Sequence, residues 1–374
     1  MALASTARTS AIWALYVLVV LEFLFMITPF LAFWYYPAYS GFLNWLRASP
    51  KTDWLPGFFL PHFSETHDPA LQALSSTGWW LVGGGLLVFA ITAAQVYWAK
   101  FVRRTMVHGG LYRMIRHPQY VALIVAGTGV MLIWPRFIVL FALVTMAFLY
   151  VQLARHEERV CLAKFGDGYR DYKARTGGFF PRISSPSRAA SENARRGRPW
   201  LMLAAYVVAI ASAGVAAYGL REHSMAHLAA IYGEREVILS PALLSEAELR
   251  RAHALAVQDP RVSARLAQSQ VIAGRVTYVV PTEWYMPDLP ILSHDRVVAG
   301  GHGAPKNFDR NKLQVLFTVA RTFRPEARGK NILRRAHGIR PIALADVDLA
   351  SGAVTEVIDP PRHVVWGDIP MPLF

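Results

Sequence analysis

Two short stretches of this chain place residues that bind charged groups where such groups could reach them. The first runs from Gly109-Gly110-Leu111-Tyr112 to Arg116-His117-Pro118-Gln119-Tyr120. Proline suits the first turn of a helix, where its missing N–H is not needed, so His117-Pro118 marks a helix start. The unpaired N–H groups and partial positive charge of such a start suit a ligand carboxylate. A plain capped helix with Arg and Tyr anchors at a membrane interface accounts for the same residues equally well. The second stretch, Arg155-His156-Glu157-Glu158, sets two adjacent acids in a basic neighbourhood. An acid there could bind an ammonium ion, and a solvated, charged helix end is the alternative. Phe165-Gly166-Asp167-Gly168-Tyr169 then leads through Tyr172 to Phe180-Pro181, an amphipathic helix whose aromatic residues could fold back over the site. Gly127 and Gly129, between the two stretches, favour close helix packing over a ligand pocket.

The elements that must carry these residues are membrane helices. With 54% apolar residues among 374 and a positive mean hydropathy, the chain is too apolar for an ordinary soluble protein. Five segments approach the roughly 20 helical residues needed to cross a hydrocarbon core: about 11–36, 79–99, 119–134, 137–154 and 200–219. Only Trp134, Pro135 and Arg136 join the third to the fourth, which requires a tight antiparallel hairpin. The first is too long for a signal-peptide core and reads as a retained helix.

The net charge of +14 points to topology and not to nucleic acid, because of where it lies. Lys100, Arg103, Arg104, Arg113 and Arg116 crowd one connection without an acid, and a second basic cluster spans 155–198. Both belong on the cytoplasmic side. The connection 37–78, with Arg47 and Lys51 against Asp53, Glu65 and Asp68, suits the far side, flanked by Trp34, Tyr35, Tyr36, Trp79 and Trp80 as an aromatic belt. An odd number of crossings from a cytoplasmic N-terminus puts residues after 219 outside, in the periplasm if the membrane is a bacterial cytoplasmic one. The single cysteine, Cys161, excludes an intrachain disulfide framework.

The expected fold class is thus a polytopic α-helical membrane protein with about five transmembrane helices and a C-terminal α+β extracytoplasmic domain. Its expected parts are 1–99 (membrane helices and an external loop), 100–182 (the core with the chemistry), 183–199 (a polar, basic linker), 200–219 (a membrane helix) and 220–374 (the external domain). In the last, helix-favouring residues over 244–266 break at Asp259-Pro260. Strand-like runs follow at 270–280, 312–323 and 339–358, with Asp348-Leu-Ala-Ser-Gly352 as a hairpin turn, for an antiparallel sheet.

Taken together, GLY-RMI-RHPQYVALIVAGTG, the tight hairpin and EER-VCLAKFGDGYRDYKARTGGFFP resemble the catalytic core of the isoprenylcysteine carboxyl methyltransferases and their phospholipid N-methyltransferase relatives. The resemblance covers about 80 residues. It implies S-adenosylmethionine as cofactor, held at the cytoplasmic membrane face, and a lipid or lipophilic small molecule as methyl acceptor. By the same analogy Tyr112, His117, Pro118, Gln119, Tyr120, Glu157 and Glu158 contact the cofactor, and residues 104–107, with Val107, edge its pocket. No nucleophilic side chain is implied, since the methyl group is already activated. In the isoprenylcysteine enzymes an arginine facing the substrate carboxylate stands four residues before the first matching glutamate. Here that position is Leu153. Arg155, a candidate substrate contact, is about 200° further round the helix. The acceptor class therefore stays open among amine lipids, thiols, phenols and isoprenoids.

In the external domain, His223 and His227 at i and i+4 could share a metal, although sequence supplies no third ligand. The order of helix, DPRV and strands is similar to the small α+β modules that precede the catalytic domain of copper amine oxidases, which implies a docking module with an extracytoplasmic protein partner. Two other functions compete with methyl transfer. One is a membrane oxidoreductase like the sterol reductases, which share a related core but use a nicotinamide cofactor. The other is a non-enzymatic anchor that presents the external domain.

Overall fold

The computed structural model describes residues 17, 20, 28–103, 105–182, 199–269, 274–291, 299–362 and 369–374. The chain forms two compact units. One comprises 1–31, 75–134 and 138–216, the other 32–74, 135–137 and 217–374. Most of the first expected span, 11–36, and nearly all of the basic linker lie outside the described residues.

Helix α1 spans Thr28–Arg47 and α2 spans Pro69–Trp98. Helix α2 starts ten residues earlier than expected because Asp68 caps it, its Oδ1 accepting from the Ala70 N–H at 2.8 Å, with Pro69 in the first turn. The connection expected over 37–78 is therefore helical at both ends. A π-helical turn, Ala99–Arg103, and a short 3-10 turn, Gly110–Arg113, precede α3, Pro118–Ile133. Helix α4, Phe137–Arg175, absorbs both the expected fourth span and the amphipathic tail, bent where Gly166 adopts φ 54°. Helix α5 spans Pro199–Ala226.

Among the described residues three helices are long and apolar enough to cross a membrane: Pro69–Val102, Phe137–Arg175 and Trp200–Ala226. Helix α3, with 16 residues, is shorter. Trp79, Trp80, Leu87, Leu203 and Val215 are exposed, the apolar surface expected of helices covered by lipid.

Within the first unit, small residues bring α2 and α3 together. A Cβ built on Gly129 would lie 2.5 Å from the Gly78 carbonyl oxygen, and one on Gly85 would lie 2.7 Å from that of Ala122. Gly129 thus serves helix packing, as the spacing favoured. Helices α3 and α4 enclose Val130, Val139, Leu143, Met146, Tyr150 and Leu153. Helix α5 joins α4 through a hydrogen bond of 2.9 Å between the Thr145 and Tyr206 hydroxyls and an edge contact of Tyr206 with Phe148.

The second unit is built on a six-stranded sheet. Strands β1 (Ala229–Tyr232), β2 (Glu236–Ser240), β3 (Arg275–Pro281), β6 (Lys312–Arg321), β7 (Gly338–Asp348) and β8 (Ala353–Ile358) lie in that order. Strands β4 (Trp284–Tyr285) and β5 (Ala299–Gly300) form a separate pair. The sheet is not wholly antiparallel: β2 and β3 run parallel. A parallel pair needs a crossover, supplied by α6 (Glu246–Gln258) and α7 (Pro260–Gln268). Asp259 ends the first and caps the second, so the Asp-Pro break falls where the sequence put it. Both faces of the sheet are covered. Val279, Val315 and Phe317 pack in the cluster that holds Leu249, Ala252 and Val262, whereas Val276, Tyr278 and Leu316 pack with Met225, Trp284 and Phe374. Eight successive residues of β6 are consequently buried. The turn after β7 closes with Gly352 at φ 67° and its N–H bonded to the Asp348 carbonyl, the expected hairpin. Also within this unit, Arg136 is fully buried, donating to the carbonyls of Pro56 and Pro370 and lying over the Phe58 ring.

The glycine packing yields a direct expectation. Gly129→Ala should lower stability by about 1–3 kcal/mol, the usual cost of overpacking. Gly83→Ala on α2, where nothing lies within 4 Å of the new methyl group, should be neutral or slightly stabilising. Thermal unfolding of both variants in detergent micelles checks the contrast.

Candidate active site

The 3-10 turn at Gly110–Arg113 fits against α2 because residue 110 has no side chain. Gly110 sits at φ 57°, and a Cβ there would meet the Gln95 side chain at 2.7 Å. The turn buries Tyr112, whose hydroxyl donates to the Thr92 carbonyl at 3.4 Å. Burial raises its pKa, so the phenol stays protonated. Val107 stands half-buried just before the turn, and residue 104 is outside the described chain.

His117 caps α3 with Pro118 behind it, and the backbone there is held by a second strand of chain. The N–H groups of Arg116 and His117 donate to the carbonyls of Gly177 and Gly178 at 2.9 and 3.1 Å, and Gly177 N–H returns to Met114 at 3.2 Å. The segment after α4 thus folds back onto the RHP motif, as its aromatic residues suggested. It carries Phe179, whose ring lies 5.7 Å from that of His117 and 6.4 Å from that of Tyr120. Tyr120 in turn stacks on Tyr150 at 4.8 Å. Gln119 is half-buried in the first turn of α3 and Pro118 is buried.

The two adjacent glutamates of α4 have different surroundings. Glu158, with 14% of its side chain exposed, accepts from Arg116 Nε at 2.7 Å, pairs with Lys173 Nζ at 2.7 Å and lies 3.4 Å from His117 Nε2. Arg116 also donates to the carbonyls of Lys173 and Thr176. Glu157, with 42% exposed, accepts from the Tyr120 hydroxyl at 2.6 Å and lies 3.6 Å from His117 Nδ1. One carboxylate is thereby committed to holding the fold, and the other keeps accepting capacity toward solvent. Burial works against the His117 imidazolium, but its hydrogen bonds to Glu157 and Glu158 outweigh that and raise its pKa above the ordinary 6.5.

Of the residues the sequence singled out, His117, Tyr120, Glu157 and Glu158 come together directly. Tyr112 joins them through its backbone, since its carbonyl accepts from the Tyr172 hydroxyl at 2.7 Å. Arg155 does not converge with them: its guanidinium reaches Met202 Sδ on α5. Leu153 is a core residue, 2% exposed. Arg116, Lys173, Phe179 and Tyr150 were missed as members of the site. Arg116 opens the stretch that holds His117, but its sequence position as an interfacial anchor and basic charge does not reveal the clamp on Glu158. Lys173 and Phe179 lie in the stretch whose aromatic residues suggested a fold-back, but no local pattern marks them individually, and the bend at Gly166 brings them in.

Two sets of His and carboxylate side chains whose ligand atoms lie within 4.8 Å of one another occur among the described residues of the second unit: Asp68 with His223 and His227, and Asp288 with His62 and His302. Asp68 supplies the third donor that sequence could not identify for the histidine pair, its Oδ2 lying 2.6 Å from His223 Nε2.

Residues 73–168 match the family model of the phospholipid methyltransferases. No curated protein and no solved structure matches the chain significantly. The matched segment contains His117, Tyr120, Glu157 and Glu158 and stops before Lys173 and Phe179.

Glu158→Gln should cost about 1–3 kcal/mol, the range for leaving partly buried partners without their acceptor, and Glu157→Gln less. The His117 charge adds a pH dependence. With its pKa raised in the folded protein, its stabilisation is complete below the unfolded pKa and is lost as pH rises through the folded one. The melting temperature should therefore fall on the alkaline side of 6.5, and His117→Gln should remove that component; a pH series of melting curves on both proteins decides it.

Proposed function

We propose that the segment matching the phospholipid methyltransferases binds S-adenosylmethionine beside His117, Tyr120 and Glu157 and methylates a lipophilic acceptor. The observation that carries this is the division between the two glutamates. Glu157 is a half-exposed carboxylate, oriented by the Tyr120 hydroxyl and not consumed by a basic side chain other than His117. The residues present fit a ligand with an ammonium, a carboxylate and a sulfonium. Glu157 suits the first, the positive end of the α3 dipole suits the second, and the stacked rings of Tyr120 and Phe179 suit the third. Bound S-adenosylmethionine would supply a methyl group already activated for transfer. The protein's own contribution is then to orient and to exclude water. Glu158 fixes the end of α4 against the RHP backbone through Arg116 and Lys173, and Phe179 covers His117 and Tyr120.

The core position of Leu153 supports acceptors other than carboxylates: amine lipids, thiols, phenols or isoprenoid compounds reached from the bilayer. The basic residues around the site support a cytoplasmic placement, and the same bias supports an extracytoplasmic one for residues 220–374.

Calorimetry of S-adenosylmethionine binding to detergent-purified protein tests the reading. Glu157→Ala should weaken binding about 10- to 100-fold, the equivalent of one charge-assisted hydrogen bond, with the melting temperature nearly unchanged. His117→Ala should weaken it as well. A well-folded wild type that binds no S-adenosylmethionine would overturn the proposal and leave the oxidoreductase and the non-enzymatic anchor.

A further inference from the structure

The second unit contains a cavity of about 230 Å³ in whose wall five arginines, Arg47, Arg221, Arg324, Arg334 and Arg335, stand among otherwise mostly apolar residues, with Asp53 as the one acid among the described residues. These five residues come from four separate parts of the chain, the end of α1, the end of α5, the loop after β6, and the short helix α8, Lys330–Arg335. Their convergence is a product of the fold, with no counterpart in a local sequence motif.

Three features distinguish this wall from a solvated basic surface. Arg221 is only 7% exposed, and its Nε has no hydrogen-bond partner among the described residues. Its Nη2 lies 3.5 Å from the Leu333 carbonyl, at the limit of a hydrogen bond. Arg334 is neutralised by Glu222, which lies outside the lining, so its fork is already fixed in direction. Arg47 and Arg321 converge near Gly338, where a built Cβ would lie 3.4 Å from the Arg47 Nη1 and 3.7 Å from the Arg321 Cδ. The crowding of cations is felt by its neighbours. Burial, then Arg136 and Arg321, lower the Arg47 pKa to about 9, and burial, then Arg47 and Arg321, lower that of His337 to about 4. His337 also lines the cavity, and its Nδ1 has no hydrogen-bond partner among the described residues.

Holding like charges together in a partly desolvated wall costs free energy that an anion offsets. Forked guanidinium donors arriving from several directions match the several oxygens of a phosphoryl group better than the two of a carboxylate. We propose that this cavity is a binding site for a phosphoryl anion, with Arg47 and Arg221 as its principal donors. The inference goes beyond the methyl-transfer reading and does not depend on it, since the two rest on different units. The same chemistry belongs to free phosphate and to the headgroup of an anionic phospholipid.

The test uses the full chain in detergent. Inorganic phosphate is titrated by calorimetry in low-salt buffer, and phosphatidylglycerol is titrated in parallel with phosphatidylcholine and followed by native mass spectrometry. Wild type, Arg47→Gln and Arg221→Lys are compared. Arg47 is half-buried, so its substitution should leave the protein folded even if that of Arg221 does not. The expected result is binding of phosphate or of phosphatidylglycerol, weakened at least tenfold by Arg47→Gln, with phosphatidylcholine binding more weakly than phosphatidylglycerol. Binding of phosphate identifies a soluble ligand, and binding of phosphatidylglycerol alone identifies a lipid headgroup. Absence of both from folded wild type, or equal binding by wild type and Arg47→Gln, overturns the proposal. S-adenosylmethionine binding by Arg47→Gln should equal that of wild type, which keeps the two proposals separable.

Discussion

Glu158 ties two distant pieces of chain to itself through one carboxylate: Arg116 and His117 at the start of α3, and Lys173 beyond the bend of α4. Such a carboxylate must be paired, because an acid set among apolar helix ends and removed from water is otherwise costly. Its partners are themselves tethered, with Arg116 donating to the carbonyls of Lys173 and Thr176 and the backbone of 116–117 bonded to Gly177 and Gly178. The return of the chain after α4, the cover that Phe179 forms over His117, and the orientation of the helix start all depend on this pairing.

The clamp also explains why two neighbouring acids of the same type do different things. Successive residues on a helix point about 100° apart, and of the pair Glu158 is the one that meets Arg116 and Lys173, although both reach His117. The other, Glu157, is left toward Tyr120 and solvent. The commitment of one carboxylate to structure is what gives the other a fixed place without using up its charge. Beneath them the glycines of α2 and α3 set the helix separation, so the aromatic stack of Tyr120, Tyr150 and Phe179 rests on a closely packed base.

The second unit meets the problem of buried charge with the opposite sign. Arg136 donates to two backbone carbonyls and lies over an aromatic face, all within the second unit. Among the described residues, Arg221 Nε lacks a hydrogen-bond partner and a single lining acid, Asp53, stands with five arginines. Arg47 and Arg221 are placed by helices that are apolar for most of their length, so burial of the flanking residues dictates where these two charges end up.

By itself the sequence determined the membrane character, the helix start at His117-Pro118, the hairpin at 134–136, the Asp259-Pro260 break and the turn at Asp348–Gly352. Each of these follows from local properties: apolar length, the missing N–H of proline, or a residue able to take positive φ. The methyltransferase-like order of motifs was also legible, because the motifs lie within one continuous segment. Only the tertiary structure decided that α4 runs on to Arg175 with a bend at Gly166, that β2 and β3 are parallel, and that Glu158 is structural whereas Glu157 is open. It likewise brought Asp68 to His223 and five distant arginines to one cavity. These depend on contacts between residues far apart in the chain, and their energies are set by burial and by neighbouring charges, neither of which has a period or a spacing to read.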